Sequence, residues 1–393
     1  MRGKAVLFII GLVLAFMVLV PGAHAQAVRG VTDTEVIVGQ TGPQTGPAAL
    51  WGAVARGTGL YFKGINDEGG IHGRKIKYVL RDDGYQPAKT KAIGKEFVEQ
   101  IGIFSVVGCV GVGPGMSVRD YYSENKVLMV SMGCSGVTNW IKPFQKYIFP
   151  IYPLYVDEAF ALTRYFHETM KLTKIAMFYQ NDDYGKQGLE GVEHYVKAKG
   201  LQMVATVSAE VTDRDLSSHA LKLKNSGAQA VIMWAMPVHG ALLLGECAKI
   251  QYKPKWGTSS TLSDGVAMLS ISKGLWAGMI SSNFGELPES NHPLMVKYRA
   301  WHQKYEPKER WSTFYIAGML FAEPFVEGLR RAGRNLNPET FVTAMETIRE
   351  WKGSGLPITF TPTDHQGGKH VVFQQVQKDG NIKNITDWFR ITK

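Results

Sequence analysis

Cysteine is scarce in this chain, which has three among its 393 residues: Cys109, Cys134 and Cys247. An odd number excludes pairing of all of them within one chain, so at least one is a free thiol or forms an intermolecular bond. Cys109 and Cys134 each follow a predicted strand. The pattern leaves open whether these two form a disulfide or simply fill small apolar spaces.

Sequence motifs of the common enzyme classes are also missing. The chain has no P-loop lysine, no H-E-x-x-H and no histidine spacing typical of zinc ligands. The segment GVGPG at 111–115 lacks the spacing of G-x-G-x-x-G, and SENK at 123–126 fits S-x-x-K without its companion motifs. GCSG at 133–136 is one residue short of a nucleophile elbow. The sequence therefore predicts no enzyme, no cofactor and no metal site.

The net positive charge does not indicate a nucleic-acid partner. Lys and Arg exceed Asp and Glu by 44 − 34 = 10, but they are scattered along the predicted helices, and no nucleic-acid-binding motif accompanies them. We interpret the charge as a contribution to solubility and to weak steering of ligands.

One long apolar run is present, at the start of the chain. Arg2 and Lys4 precede apolar residues 5–20, and Ala23-His24-Ala25 follows. This order is typical of a secretory signal peptide and predicts cleavage after Ala25, with the mature chain exported. The alternative is a membrane anchor, for which the run is short compared with the roughly 20 residues that a span needs.

Residues 103–139 form the most informative stretch. Two apolar, β-branched segments, 104–107 and 127–130, each end in a glycine-rich turn and are joined by a segment of helical length. This pattern predicts a βαβ unit with buried parallel strands. Because ligands of open α/β sheets bind beyond the carboxyl ends of the strands, the two turns should form one wall of a binding cleft.

The alternation of strands and helices occurs twice. It runs as far as residue 153, begins again at residue 174, and ends with a predicted strand pair at 358–361 and 371–376. This repetition predicts an α/β protein with two similar halves. A chain that crosses between two halves several times permits hinge closure around a ligand.

The order of several segments resembles the periplasmic solute-binding proteins of the leucine/isoleucine/valine-binding type, which supply ABC importers. The matching segments are TGPQTGPAALWG, INDEGGIHGRKI, RDDGYQPAKT, NKVLMVSMGCSG, FYQNDDYGKQG and ITFTPTDHQGGKH. The resemblance implies two Rossmann-like lobes of parallel sheets flanked by helices, with three hinge crossings. On that basis we expect one lobe at 30–153 plus 283–354 and the other at 154–282 plus 355–393. It also implies a periplasmic monomer with a membrane permease as its partner.

The same resemblance implies the positions of ligand contacts. The ligand's carboxylate would be held by the loops at 109–115 and 132–136, with Ser135 supplying a hydroxyl unless it only caps a helix. Trp51 would line the pocket rather than pack beneath its loop, and Tyr184 would stack on the ligand. The full set of candidates is Trp51, Cys109, Gly111, Val112, Gly113, Met132, Cys134, Ser135, Tyr155, Asn181, Tyr184, Trp234, Met236, Pro237 and Ser259.

One departure from the family's pattern concerns the ligand. Amino-acid binders of the family place an acid in the second lobe to hold the α-ammonium, and Ser259 stands there in this chain, with Asp264 a few residues further. A buried ammonium without an acidic partner costs several kcal/mol, which argues against an amino acid. The segment MWAMPVHG brings Trp234, Met236 and Pro237, although Trp234 is equally explained as core.

We therefore expect an aromatic or otherwise apolar carboxylic acid as the ligand. A branched-chain amino acid or a small amide such as urea is the alternative within the family. A secreted ligand sensor is the alternative from another class.

Overall fold

The computed structural model describes residues 27–133 and 136–392. The predicted signal peptide, Cys134 and Ser135 lie outside the described residues. In the described part, two sheets form two lobes, one with five strands and one with eight.

The first lobe has the strand order β2-β1-β3-β4-β5, with all pairs parallel. Its strands are β1 (Glu35–Gly42), β2 (Lys75–Asp82), β3 (Ser105–Val107), β4 (Leu128–Val130) and β5 (Ile148–Phe149). β3, β4 and β5 are completely buried, as the continuous apolar runs predict for parallel strands covered on both faces. The predicted βαβ unit is confirmed, because β3 and β4 pair in parallel register.

Four helices of the first lobe precede the second lobe in the chain. They are α1 (Ala53–Asp67), α2 (Pro87–Lys95), α3 (Val112–Met116) and α4 (Arg119–Glu124). Three more follow after the second lobe: α10 (Pro293–Tyr305), α11 (Thr313–Ala332) and α12 (Pro338–Met345). α11 packs closely on α1, and a Cβ at Gly318 would lie 1.9 Å from the carbonyl oxygen of Val54. Only glycine allows this approach.

The second lobe has a mixed sheet with the main order β12-β11-β10-β9-β8-β6-β7. Its strands are β6 (Ile175–Gln180), β7 (Met203–Ala209), β8 (Ala230–Trp234), β9 (Lys255–Thr258), β10 (Ile280–Asn283), β11 (His370–Val376), β12 (Ile382–Asn384) and β13 (Phe389–Arg390). Its helices are α5 (Tyr155–Arg164), α6 (Asp183–Ala198), α7 (Ser217–Asn225), α8 (Pro237–Lys249) and α9 (Gly265–Ile271).

The end of the chain differs from its prediction in part. β11 forms and pairs antiparallel with β10, as expected for a strand that completes the second half. The expected strand at 358–361 is replaced by isolated bridges at Ile358 and Thr361. Ile358 bridges Trp351 and Gly368, whereas Thr361 bridges Asp364, so the segment changes partners along its length and forms no continuous ladder.

Three chain segments connect the lobes and lie side by side. Gly367 N donates to Pro150 O (2.9 Å), which joins the third crossing to the first. Leu356 N donates to Phe284 O (3.0 Å), which joins the third to the second. Adjacent crossings of this kind permit hinge bending between the lobes. The precise lobe boundaries at 153/154, 282/283 and 354/355 remain a proposal.

Candidate functional site

A cavity lies between the two lobes, at the carboxyl ends of their strands. It encloses about 700 Å³ of space when its open mouth is included. Eight aromatic residues contribute to its lining: Trp51, Tyr85, Tyr152, Tyr155, Tyr184, Phe284, Phe314 and Phe321. The remaining lining residues are mostly small, apolar or hydroxylated. The cavity is therefore lined mainly by aromatic and small apolar residues from both lobes.

The glycine-rich turn after β3 contributes Gly111 and Val112 to the cavity wall. Gly111 has φ +108°, and a Cβ there would lie 2.8 Å from both the Tyr85 ring and Pro114. Both reasons require glycine at this position. Val112 begins α3, where backbone N–H groups have no intrahelical acceptor. Both residues belong to the loop at 109–115 that the sequence assigned to the carboxylate.

Other residues of these loops form hydrogen bonds within the protein or lie outside the cavity lining. Gly133 lines the cavity, but its N–H donates to Cys109 O (2.7 Å). Cys109 is a free, buried thiol whose Sγ accepts from Thr41 N (3.3 Å), and burial raises its pKa to about 11. Cys109 thus serves as core packing, the second of the two alternatives. Met132 is buried and Gly113 half-buried, and the cavity lining includes neither.

Three hydroxyl groups meet on the second-lobe side. Tyr184 OH lies 2.9 Å from Ser259 Oγ and 2.5 Å from Thr261 Oγ1, and the latter two are 2.5 Å apart. Tyr184 is placed by the start of α6, where Asp182 accepts from Gly185 N (3.0 Å) as the N-cap. Burial raises the pKa of Tyr184 well above its usual value, so the phenol stays neutral. Within this cluster, Tyr184 and Thr261 line the cavity, whereas Ser259 is fully buried and does not.

Trp51 connects the lobes across this cluster. Its Nε1 donates to Thr261 O (2.8 Å), and its ring lies edge-on to that of Tyr184 at 6.5 Å between centroids. The Trp51 ring also packs against Tyr85 at 5.6 Å. Trp51 therefore lies in the cavity wall. Tyr155, another candidate, lines the cavity and packs on Tyr184 at 5.1 Å.

Besides Ser259, four second-lobe candidates lie away from the cavity lining. Asn181 is exposed, and its amide donates to Glu210 (2.5 Å) at the surface, because it precedes the turn that brings Tyr184 inward. Trp234 is fully buried against Gly188 and behaves as core. Met236 and Pro237 are buried at the N-cap and first position of α8.

A buried carboxyl group supports the hydroxylated loop from behind. Glu158 Oε1 accepts from Ser260 N (2.5 Å), its Oε2 accepts from Ser260 Oγ (3.2 Å), and Ser282 Oγ also donates to Oε1. Desolvation raises the pKa of Glu158 to about 7 although these hydrogen bonds oppose the rise. Because Ser260 lines the cavity, Glu158 positions part of the binding surface without touching it. Nothing in the sequence around Glu158 indicated this role.

Two acidic residues, Asp264 and Glu286, differ in whether a ligand in the cavity could contact their carboxylates. Asp264 is fully buried, and its oxygens accept from Ala267 N (2.9 Å) and Phe314 N (2.9 Å). Glu286 lines the cavity and is the one charged side chain among the described lining residues; its Oε2 accepts from Ser290 Oγ (2.7 Å). Sequence reasoning singled out Asp264 and missed Glu286.

Two other contributors to the cavity were missed. The second crossing supplies Asn283, Phe284 and Gly285, and α11 supplies Thr313, Phe314, Ile316, Ala317, Leu320 and Phe321. The apolar sequence of α11 predicts a buried helix but does not indicate which of its residues face a ligand.

Among residues 27–133 and 136–392, no helix has both the length and the apolarity needed to cross a bilayer.

The fold and the site together define a two-lobed α/β protein with a cleft suited to a small molecule. The chain belongs to the periplasmic binding protein family, whose sequence profile matches residues 35–381. It is 30% identical to Leu/Ile/Val-binding protein homolog 3 of Brucella melitensis, over 53% of this chain and 56% of that protein, so this match spans about half of each. It is 24% identical to Leu/Ile/Val-binding protein homolog 1 of Brucella abortus, over 81% of this chain and 84% of that protein.

Solved structures share the fold. A branched-chain amino acid ABC transporter protein from Thermus thermophilus with bound valine has a TM-score of 0.81 at 21% identity, covering 92% of this chain and 97% of that one. A solute-binding protein of an ABC transporter from R. palustris in complex with 4-hydroxybenzoate has a TM-score of 0.78 at 19% identity, covering 91% and 98%. The prediction of a type I periplasmic binding fold is confirmed. At these identities the likeness shows the fold and leaves the ligand open.

Proposed function

We propose that this protein is the periplasmic substrate-binding component of an ABC importer. Support comes from the cavity between two lobes, from the three adjacent crossings and from family membership. The ligand would favour the closed arrangement by contacting both lobes, and the closed monomer would then dock on a permease in the inner membrane. Residues 1–25 would direct export and be removed.

The ligand we propose is a small aromatic carboxylic acid, and the eight aromatic residues lining the cavity carry this proposal. Burying one aromatic ring contributes on the order of 1.5–3 kcal/mol. The carboxylate would meet the first-turn backbone N–H groups at Gly111 and Val112, since helix N-termini favour anions.

The hydrogen bonds of the second lobe also favour a ligand without an ammonium group. Ser259, at the position of the family's acid, is engaged with Tyr184 and Thr261. Both oxygens of Asp264 are occupied by backbone N–H groups. Neither residue is therefore available as an acidic partner for an α-ammonium.

One observation favours a second candidate, a branched-chain amino acid. The Glu286 carboxylate lines the cavity and has a second oxygen beside the one that accepts from Ser290. A carboxylate in this position is suited to an ammonium group. The relatives named as Leu/Ile/Val-binding proteins are consistent with this candidate.

A thermal-shift panel on the exported, purified protein separates the two candidates. Benzoate and phenylpropanoate should raise the Tm, because a ligand that binds only the folded state stabilises it. Leucine, isoleucine and valine should leave the Tm unchanged. Stabilisation by leucine with no response to the aromatic acids would overturn the proposed ligand and favour the amino-acid candidate. NMR of the recovered ligand should show it chemically unchanged, as expected for a binding protein.

A further inference from the structure

One residue of the cavity lining has a hydroxyl group whose hydrogen-bonding capacity is unused. Thr313 lines the cavity at the start of α11 and is 8% exposed. Within the part of the chain that the structure describes, its Oγ1 is buried and has no hydrogen-bond partner. No other lining residue has such a side-chain atom among the described residues. Buried polar groups are nearly always paired, so this one needs an explanation.

The position of Thr313 in its helix explains why the protein itself supplies no partner. Threonine inside a helix usually donates to the carbonyl four residues earlier. Thr58 does so to Val54 O (3.1 Å) and Thr163 to Ala159 O (2.6 Å). Thr313 is the first residue of its helix, so no helical carbonyl lies four residues before it. It also makes no capping bond to the first turn, where Phe314 N already donates to Asp264.

The charges around Thr313 restrict what its partner could be. The Asp264 carboxylate lies against the backbone of the adjoining Phe314, and Glu286 lines the same cavity. A carboxylate brought to Thr313 would lie near the Asp264 carboxylate and would share the cavity with Glu286, and both have its sign of charge. A neutral group that both donates and accepts a hydrogen bond would meet no such repulsion.

From this geometry we infer that Thr313 is a ligand-contacting residue that determines specificity. Its Oγ1 hydrogen-bonds to a hydroxyl group on the ligand's ring, remote from the carboxylate. The ligand is then a hydroxylated aromatic monocarboxylic acid rather than an unsubstituted acid or a dicarboxylic acid. This inference rests on the proposed function.

Isothermal titration with matched acids tests the inference. The probes are benzoate, 3-hydroxybenzoate, 4-hydroxybenzoate and benzene-1,4-dicarboxylate. One of the hydroxybenzoates should bind the wild type about tenfold more tightly than benzoate, the size expected for one neutral hydrogen bond to a buried partner. The dicarboxylate should bind more weakly than benzoate.

Thr313→Val keeps the shape of the side chain and removes its hydroxyl. We expect it to weaken the preferred hydroxybenzoate about tenfold while benzoate stays within about twofold, so that the preference disappears. Thr313→Ser keeps the hydroxyl and should keep the preference. Thr163→Val is the matched control, since its buried hydroxyl bonds within α5, away from the cavity lining, and it should not change the ratio.

Three results would overturn the inference. One is that Thr313→Val weakens the binding of benzoate and of the hydroxybenzoates by the same factor, or changes the binding of none of them. Another is tighter binding of the dicarboxylate than of benzoate. The third is a wild-type protein that binds no aromatic acid, which would refute the proposed function together with the inference. Binding of the acids without a Thr313-dependent difference refutes the inference alone. If Thr313→Val lowers the Tm severely, the comparison of Thr313→Ser with Thr313→Ala decides by the same criterion.

Discussion

The carboxylate of Asp264, in the second lobe, accepts a hydrogen bond of 2.9 Å from the backbone N–H of Phe314 in the first lobe. Phe314 lies in the first turn of α11, a helix of 20 residues whose N-terminal N–H groups and dipole favour a negative charge. The other Asp264 oxygen caps its own helix through Ala267 N. One buried acid therefore joins the two lobes at the edge of the cavity.

Removal of this link should weaken ligand binding without removing a ligand contact. Asp264→Ala loses a charge-assisted hydrogen bond worth about 1.5–3 kcal/mol, so affinity for the ligand should fall at least about tenfold. Loss of the N-cap of α9 should also lower the Tm, because such caps contribute about 1 kcal/mol. Titration calorimetry gives the affinity, and small-angle scattering gives the radius of gyration. An unchanged affinity would show that the bond does not contribute to closure.

Trp51 should matter both as a ring and as a hydrogen-bond donor. Trp51→Phe keeps an aromatic face but loses the bond from Nε1 to Thr261 O, and should weaken binding roughly two- to tenfold. Trp51→Ala loses the ring as well and should weaken it further, by on the order of 1.5–3 kcal/mol. The check is the affinity of each variant for an aromatic acid. Equal affinities for wild type and Trp51→Ala would mean that the ligand lies elsewhere.

Tyr184 allows a test of the hydroxyl cluster. Tyr184→Phe leaves the ring in place and removes the bonds to Ser259 Oγ and Thr261 Oγ1. We expect a moderate loss of affinity, of roughly two- to tenfold, because the loop of Thr261 loses a hydrogen bond that holds it in place. Tyr184→Ala should weaken binding more, while circular dichroism shows that the lobes remain folded. A larger loss for Phe than for Ala would contradict the role of the ring.

The buried acid Glu158 should give the protein a defined pH dependence of stability. Its pKa rises from 4.5 to about 7 on folding, so the folded state binds more protons between these values and the free energy of unfolding falls as pH rises through that window. A pKa shift of this size changes the free energy of unfolding by about 3 kcal/mol. Relative to Glu158→Gln, the wild type should lose roughly that amount between pH 4.5 and pH 7.5 in urea titrations.

Exposed Glu124 in α4 offers the matched control for this pH experiment. Glu124→Gln should follow the wild type across the same window, because the effect depends on desolvation of the carboxyl group. A constant difference between wild type and Glu158→Gln at every pH would contradict the assigned burial of Glu158.

Mutation of Glu286 distinguishes the two ligand candidates. If the ligand is an aromatic monocarboxylate, Glu286→Gln should leave its affinity unchanged or raise it, because a like charge is removed from the cavity. If the ligand carries an ammonium group, the same variant should lose affinity by tenfold or more, since a charge-assisted bond is worth about 1.5–3 kcal/mol. Titration of benzoate and leucine into both proteins gives the answer.

The sequence predicts the framework well where local patterns determine the structure. The apolar runs and glycine turns around β3 and β4 predict a βαβ unit, and the spacing of Gly111 from that strand predicts a residue at the cleft. The resemblance to the family implied Trp51 and Tyr184 as ligand contacts, and both lie in short segments beside local turns. These features depend on the backbone of one short stretch each.

The cavity residues that the sequence did not predict lie in segments far along the chain from the predicted site. Glu286 and Thr313 reach the cavity only because the second crossing and α11 return to the first lobe after more than 100 residues in the second. Asn181 and Trp234 were assigned to the ligand because the resemblance places ligand contacts in the segments FYQNDDYGKQG and MWAMPVHG. The direction of a side chain at a strand end depends on tertiary packing, which periodicity does not specify. The same holds for the free thiol of Cys109, which packs against Thr41 of a neighbouring strand.

The most direct test of a ligand clamped between the lobes is a crystal structure of the protein grown with 4-bromobenzoate, phased at the bromine absorption edge. The account predicts an anomalous bromine peak inside the cavity among Trp51, Tyr155 and Tyr184, with the carboxylate at the backbone of Gly111 and Val112. A bromine peak outside the space between the lobes, or a carboxylate directed away from those N–H groups, would contradict it.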